Sequence, residues 1–428
     1  MDTLKSESMK FKNLLSLLLF LPLCAQVFAQ SHRCATMEVW QQHVLKDPAA
    51  LERKAQSDLA TQNWIATHGN TEETQAVITI PVVVHVVYNT TNQNISDAQI
   101  QSQIVSLNED FRLLNPDSVP TGHPFWPYTA DSQVEFCLAA VDPNGNATTG
   151  ITRTSTTHGV FADPNLDDIK FTSLGGKDNW DPTQYLNLWV CNLGSSLYGF
   201  ATFPSDLSLY PEYDGVVIDF KAFGSIGTAT APANLGRTGT HEIGHWLNLS
   251  HIWGDSFCGD DLVSDTEPAE ESNYGCPTFP YNAFNSCGTG ADGEMYMNYM
   301  DYVDDNCMNM FTFGQKNRMR AALNGDRSAL LTSPGCTGIA AVNDLHAADA
   351  VSLSPNPSNG LVTLQAANFP VRNAGIVVSN AMGVEVQRHE AVKSFPFELD
   401  LSALPSDIYF VRISNGNHFV SKKVVVSH

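Results

Sequence analysis

The sequence predicts an α/β (α+β) domain built on a twisted mixed sheet, followed by a small all-β sandwich. Three observations carry this. β-branched runs, of which residues 76–88 are the longest, alternate with an amphipathic helix and turn residues over the first half of the chain. The stretch His241-Glu-Ile-Gly-His-Trp-Leu-Asn-Leu-Ser-His251 then reads as a helix that leaves its last histidine beyond its end. From about residue 342 onward only short alternating strands and turn signals remain. At 428 residues the chain exceeds what one core supports, so more than one domain is expected.

The chain begins with a targeting segment. Lys5, Lys10 and Lys12 precede the apolar run 14–23, which is too short to span a bilayer. Small residues at Val27 and Ala29 suit cleavage after Ala29, so residues 1–29 are expected to be a signal peptide. No other stretch has transmembrane length. Residues 30–77 read as helical, interrupted at Pro48 and too small for a core of their own, so they must pack on another part of the chain or be removed as a pro-segment. Strands are then expected at 76–88, 134–141, 185–191, 199–203 and 215–220. A helix over 96–114 has Ser96 as its cap and a stripe of Ile100, Ile104, Leu107 and Phe111. The histidine helix should begin near Arg237. Residues 253–307, rich in Gly, Asp, Asn and Pro, should be irregular. A closing helix is expected over 312–331, with Phe313, Met319, Leu323 and Leu330 inward. The domain should end near residue 337, and 338–428 should form the sandwich.

Asp and Glu outnumber Lys and Arg 45 to 23, and the net charge is −22. That balance disfavours nucleic acid and anionic membranes as partners. Nine cysteines include Cys24 in the targeting segment, and export to an oxidising compartment makes disulfides expected among the other eight. Cys258, Cys276, Cys287 and Cys307 all fall in the irregular stretch; four cysteines allow three pairings. Cys137 and Cys191 lie in separate strands, where they either pair or stay buried thiols.

His241 and His245 are four apart, so a helix puts both imidazoles on one face, with Glu242 beside the first. Two imidazoles at that spacing hold a metal ion, and the adjacent carboxylate takes a proton from water.

These residues resemble the HExxHxxGxxH consensus of the metzincin zinc peptidases. Gly236-Arg-Thr-Gly-Thr-His-Glu-Ile-Gly-His-Trp-Leu247, His251-Ile-Trp-Gly-Asp255 and Asn298-Tyr-Met-Asp-Tyr302 narrow the resemblance to the pappalysin family, over roughly residues 78–335. The family has glycine where this chain has Asn248, one of the few other residues that tolerate a left-handed turn. The resemblance implies a secreted zinc endopeptidase acting on protein or peptide substrates. His241, His245 and His251 would hold one catalytic zinc, Glu242 would be the general base, and Tyr302 would steady the oxyanion. Met300 would floor the site, and Gly199 and Ala201 would lie on the strand that pairs with substrate. Asp305, with Asp301 and Asp304 as competitors, would select Arg or Lys at P1′. The resemblance also implies disulfides Cys258–Cys287 and Cys276–Cys307, and a structural calcium ion near Asp261, Asp265 and Thr266. Cys34 resembles the cysteine switch that keeps such enzymes latent by ligating zinc. Finally, Ser352-Leu-Ser-Pro-Asn-Pro-Ser-Asn-Gly360, Ile408-Tyr-Phe-Val-Arg412 and Lys422-Lys-Val-Val-Val426 are similar to the sorting domain of the type IX secretion system. That implies this machinery as a partner and a route through the periplasm and outer membrane to the cell surface or beyond. The alternative of another class is a surface adhesion protein whose peptidase-like domain only binds.

Overall fold

The computed structural model describes residues 33–69, 76–162, 164–336, 351–366, 374–380, 385–392, 394–414 and 419–428. The expected signal peptide and its cleavage site lie outside these residues. The chain divides into two compact units, Met1–Ile339 and Ala340–His428.

The first unit opens with α1 (Thr36–Lys46) and α2 (Ala50–His68). Then follow β1 (Ile78–Tyr88), α3 (Asp97–Phe111), β2 (Val134–Leu138), β3 (Ile151–Ser155), β4 (Leu186–Cys191), β5 (Gly199–Ala201) and β6 (Val216–Asp219). The site helix α4 (Arg237–Trp246) and the closing helix α5 (Phe313–Asn324) complete it. The sheet runs β2-β1-β4-β6-β5, with β3 on the same edge of β1 as β2. Every pairing is parallel except that of β5, which runs antiparallel to β6 and forms the other edge. β1 is buried along nearly its whole length because apolar clusters pack on both of its faces, against Val82, Val84 and Val86 on one and Val83 and Val87 on the other, and such a strand reads as a continuous Val run.

α3 fixes the approach to α4. Ser96 caps it by accepting from the Gln99 amide at 3.2 Å, and Ile100, Ile104, Leu107 and Phe111 enter the main core. On the same helix, the Gln103 side chain donates to Gly236 O at 2.8 Å and accepts from Gly224 N at 2.7 Å. The residue that starts α4 is thereby tied to α3.

β3 was not expected from the sequence, because Ile151-Thr-Arg-Thr-Ser155 lies at the sheet edge and carries no buried apolar run. Phe313 is not inward: it is 49 % exposed at the first turn of α5, whereas Met319, Leu323 and Leu330 are buried. Cys137 pairs with Cys336 rather than with Cys191, which is a buried thiol. Cys258–Cys287 and Cys276–Cys307 staple the irregular segment.

The second unit packs two antiparallel sheets. One is ordered β10 (Glu385–Val392), β9 (Ala374–Asn380), β12 (Asp407–Ser414), β13 (Phe419–Val426); the other is β11 (Phe397–Asp400), β8 (Leu361–Ala366), β7 (Val351–Ser354). Leu364, Val378, Val411, Ile413 and Val424 lie in its core. β10, an edge strand rich in polar residues, had no sequence signal.

Candidate active site

α4 delivers His241 and His245 from one face, and the turn at Asn248 brings His251 round to meet them. Asn248 adopts φ +74°, the left-handed conformation that asparagine tolerates. The Asn248 and Leu249 amides donate back to His245 O and Gly244 O at 2.8 and 2.9 Å, so the helix ends in a closed turn.

Each imidazole donates its Nδ1–H outward. His241 donates to Tyr299 O at 2.7 Å, His245 to Leu249 O at 2.8 Å, and His251 to Asp255 Oδ1 at 2.5 Å. That fixes the tautomer and leaves three bare Nε2 lone pairs converging. His245 Nε2 lies 3.2 Å from His241 Nε2 and 3.0 Å from His251 Nε2. Two acceptors at that distance cannot hydrogen-bond to each other. In tetrahedral zinc sites with Zn–N of about 2.0–2.1 Å, ligand atoms sit about 3.3 Å apart, so the cluster fits that ion. Burial, reinforced for His241 by the neighbouring His251, lowers the His241 and His251 imidazoles to about 3 and holds His245 well below its ordinary value, which keeps them in the neutral, ligating form.

A fourth donor completes the group. Cys34 Sγ and the three imidazole nitrogens all lie within 4.8 Å of one another, and this is the one such cluster of three or more potential metal-binding side chains among the described residues. Cys34 arrives on a segment that pairs with the sheet edge. Cys34 forms a parallel bridge to Gly199, Ala35 N donates to Gly199 O at 3.0 Å, and Tyr198 N donates to Arg33 O at 3.0 Å. Ala201 N donates to Thr36 Oγ1 at 2.8 Å. Gly199 and Ala201 thus lie where an extended chain docks. A Cβ on Gly199 would meet Glu242 Cγ at 2.9 Å, so only glycine lets the strand pass this close.

Glu242 is fully buried. Its Oε2 accepts from Thr36 Oγ1 at 3.0 Å and faces Cys34 Sγ at 3.4 Å, while Oε1 has no hydrogen-bond partner. Burial pushes its carboxyl up to about 8; a dication alongside would favour the carboxylate. Met300 lies beneath α4, and a Cβ on Gly244 would come within 2.4 Å of its sulfur. Tyr302 donates its hydroxyl to Cys34 O at 3.3 Å, with its ring against His241 and His251.

The three candidate specificity carboxylates divide. Asp301 is consumed by Asn273 and by the Tyr302 amide. Asp304 takes the Arg33 guanidinium at 2.6 Å, and Val303 O accepts from the same group at 2.7 Å. Asp305 is buried, and its Oδ2 accepts from Leu235 N at 2.7 Å and Arg237 N at 3.3 Å at the start of α4. Burial raises its carboxyl to about 6. It lines a small cavity with Arg33, Thr238, His241, Glu242 and Met308.

Of the three expected calcium ligands, two lie together and the third does not. Asp261 accepts from Thr266 Oγ1 at 2.9 Å, whereas Asp265 turns away to cap α5 through Thr312 Oγ1 at 2.7 Å and Gly314 N at 2.8 Å. The helix N-terminus claims the carboxylate that the ion was expected to take. Sequence reasoning also missed Thr36, Asp255 and the Arg33–Asp304 pair. The quoted motif His251–Asp255 contained Asp255, but its role depends on its positive φ of 57°, which sequence does not display.

Comparison with known proteins agrees with this geometry. Residues 173–324 match the peptidase family described as Pregnancy-associated plasma protein-A, and residues 352–427 match the Secretion system C-terminal sorting domain. An extracellular metalloprotease of Arthroderma otae is 31 % identical over 258 residues, covering 59 % of this chain and 80 % of the relative. Mature mirolysin of Tannerella forsythia, solved with a cleaved peptide, is 50 % identical, covers 60 % of this chain and 97 % of its own, and superposes with a TM-score of 0.58. A promirolysin variant from the same organism is 45 % identical over 70 % of this chain and 97 % of its own, with a TM-score of 0.64. Among the described residues, no helix is long and apolar enough to cross a membrane. The chain belongs to the pregnancy-associated plasma protein-A (pappalysin) family, and is a zinc metalloendopeptidase that is secreted or held at the cell surface and carries a C-terminal sorting domain.

Proposed function

We propose that the chain is made as a latent zymogen and, once activated, cleaves proteins before Arg or Lys. The observation that carries this is the course of residues 33–36 along β5. It brings Cys34 Sγ to the three imidazole nitrogens and Arg33 to the acidic corner at Asp304. A thiolate at that position takes the coordination site that catalysis needs for water. Promirolysin is by name a pro-form, which supports the same reading.

His241, His245 and His251 would hold zinc, which supplies a Lewis acid that acidifies water and polarises the scissile carbonyl. Glu242 then takes the proton of the attacking water and passes it to the leaving amine. Tyr302 donates to the developing oxyanion. Substrate backbone pairs with Gly199–Ala201 once residues 33–36 have left. A basic P1′ side chain enters the corner held by Arg33 in the latent form, where Asp304 and Asp305 reward it with a charge-assisted pair. The sorting domain implies export by the type IX machinery.

A cleavage-site profile of the activated enzyme on a peptide library tests this. Arg and Lys should dominate at P1′, and Asp305→Asn, which retains an acceptor for Leu235 N, should reduce that dominance about tenfold or more. A profile indifferent to charge at P1′ would remove the specificity claim. A structural calcium ion near Asp261 and Thr266 also belongs to this proposal, without Asp265, which caps α5. A lower melting temperature on calcium-selective chelation is expected; an unchanged one removes it.

A further inference from the structure

The short turn Pro204–Asp206, just past β5, holds a carboxylate whose ion-pair partners among the described residues all come from the N-terminal segment. The Asp206 side chain is 4 % exposed. Its two ion-pair partners among the described residues are His43 on α1, whose Nδ1 lies 3.7 Å from Oδ2, and Arg53 on α2, whose guanidinium lies 3.7 Å from Oδ1. Oδ1 is buried without a hydrogen-bond partner. Asp167 flanks the same imidazole at 2.7 Å, but it also meets Lys170 at 2.9 Å, and Lys170 belongs to the catalytic unit. When the segment leaves, Asp167 keeps a cation and Asp206 does not. Aromatic rings wall the position: His43 stands edge-on to Tyr213 at 5.2 Å, and Arg53 lies over Tyr210 at 5.7 Å. Carboxylates beside tyrosine faces form a receptor for a cation.

Its position along the cleft follows from the course of the segment. Arg33 points to Asp304, the chain crosses the imidazoles at Cys34, and α1 carries it on to His43. Asp206 therefore lies on the opposite side of the imidazole cluster from Asp304 and Asp305. If P1′ enters at Asp305, substrate residues before the scissile bond pass Asp206. The seven residues from Thr36 to His43 rise about 10 Å as helix, which an extended peptide covers in about three residues.

We propose that Asp206, flanked by Asp167 and walled by Tyr210 and Tyr213, is a subsite of the activated enzyme for a basic side chain N-terminal to the scissile bond. It rests on the peptidase reading and on P1′ entering at Asp305. In the precursor, His43 and Arg53 occupy it. A buried carboxylate stripped of these partners is costly, and a Lys or Arg of the substrate restores the pair.

The test uses the activated enzyme and peptides that differ only in carrying Lys or norleucine at a single position, scanned from three to six residues before the cleaved bond. Lys should raise kcat/KM about tenfold at one of these positions and less at high salt. Asp206→Asn should bring the Lys-to-norleucine ratio to about one, and Asp206→Glu should recover it. A wild-type ratio of one at every position, or a ratio that survives in Asp206→Asn, would overturn the subsite while leaving the peptidase reading intact. Failure of the wild-type enzyme to cleave any of the peptides would instead overturn the peptidase reading itself.

Discussion

Asp255 decides which way His251 faces. Its carboxylate sits 2.5 Å from Nδ1, its backbone is held at φ +57°, and the Trp253 ring stacks on the imidazole at 4.3 Å. Such a partner fixes the ligating tautomer and raises ligand basicity, and its loss typically costs 10–100-fold in metal affinity. Asp255→Asn tolerates the same backbone and should weaken zinc binding by about tenfold in a chelator competition. An unchanged affinity would reduce Asp255 to a packing residue. Asn248 works at the same scale with a different outcome. Its side chain reaches Thr61 Oγ1 at 3.1 Å and Asp58 Oδ1 at 3.3 Å on α2, and Arg318 donates to both Asp58 and Asn248 O. A glycine at this position would keep the turn and both Arg318 bonds but lose the two side-chain bonds to Thr61 and Asp58. At about 1 kcal/mol for each of these two net hydrogen bonds, Asn248→Gly should speed release of the segment roughly thirtyfold in an activation time course. A rate equal to wild type would show that Asn248 does not anchor it.

Among elements, α1 contributes a pH dependence through His43. Burial alone would lower the His43 imidazole, but the carboxylates of Asp167 and Asp206 outweigh it and raise the group above its ordinary 6.5. A raised native value means that this docking energy is fully present below pH 6.5 and is lost as pH climbs through the native value. The melting temperature of the precursor should therefore fall from pH 6 towards pH 8.5, and His43→Gln should flatten that part of the curve. A wild-type curve that is already flat contradicts the assignment. The elements that were legible in sequence share one property: their burial pattern is written locally. β1 and β4 are enclosed on both faces, and α3 shows its stripe of Ile100, Ile104, Leu107 and Phe111 together with Ser96 as a cap. β3 and β10 were not legible because edge strands bury too little to leave a period. Cys137–Cys336 spans 199 residues, so no local signal indicates it. At the site, the histidine spacing exposed the metal chemistry, while Thr36, Asp255 and Asp206 act only through contacts made by folding.

For the whole molecule, the division into a catalytic unit and a sandwich marks a division of labour. The change to short alternating strands, with a boundary expected near residue 337, indicated it, and the compact units part at Ile339. A chain ending before Ala340 should cleave peptides with unchanged kcat/KM but fail to leave the cell; export at the normal level would contradict the sorting role. The central claim joins both halves of the catalytic unit: a zinc peptidase silenced by its own Cys34. Peptide cleavage by the full-length Cys34→Ala precursor tests it most directly, beside wild type and the Cys34→Ala/Glu242→Ala double variant. Cys34→Ala should be active without proteolytic activation, lose that activity to a zinc chelator, and fall silent when Glu242 is also replaced. A Cys34→Ala precursor as inactive as wild type, or cleavage that survives in the double variant, would contradict the account.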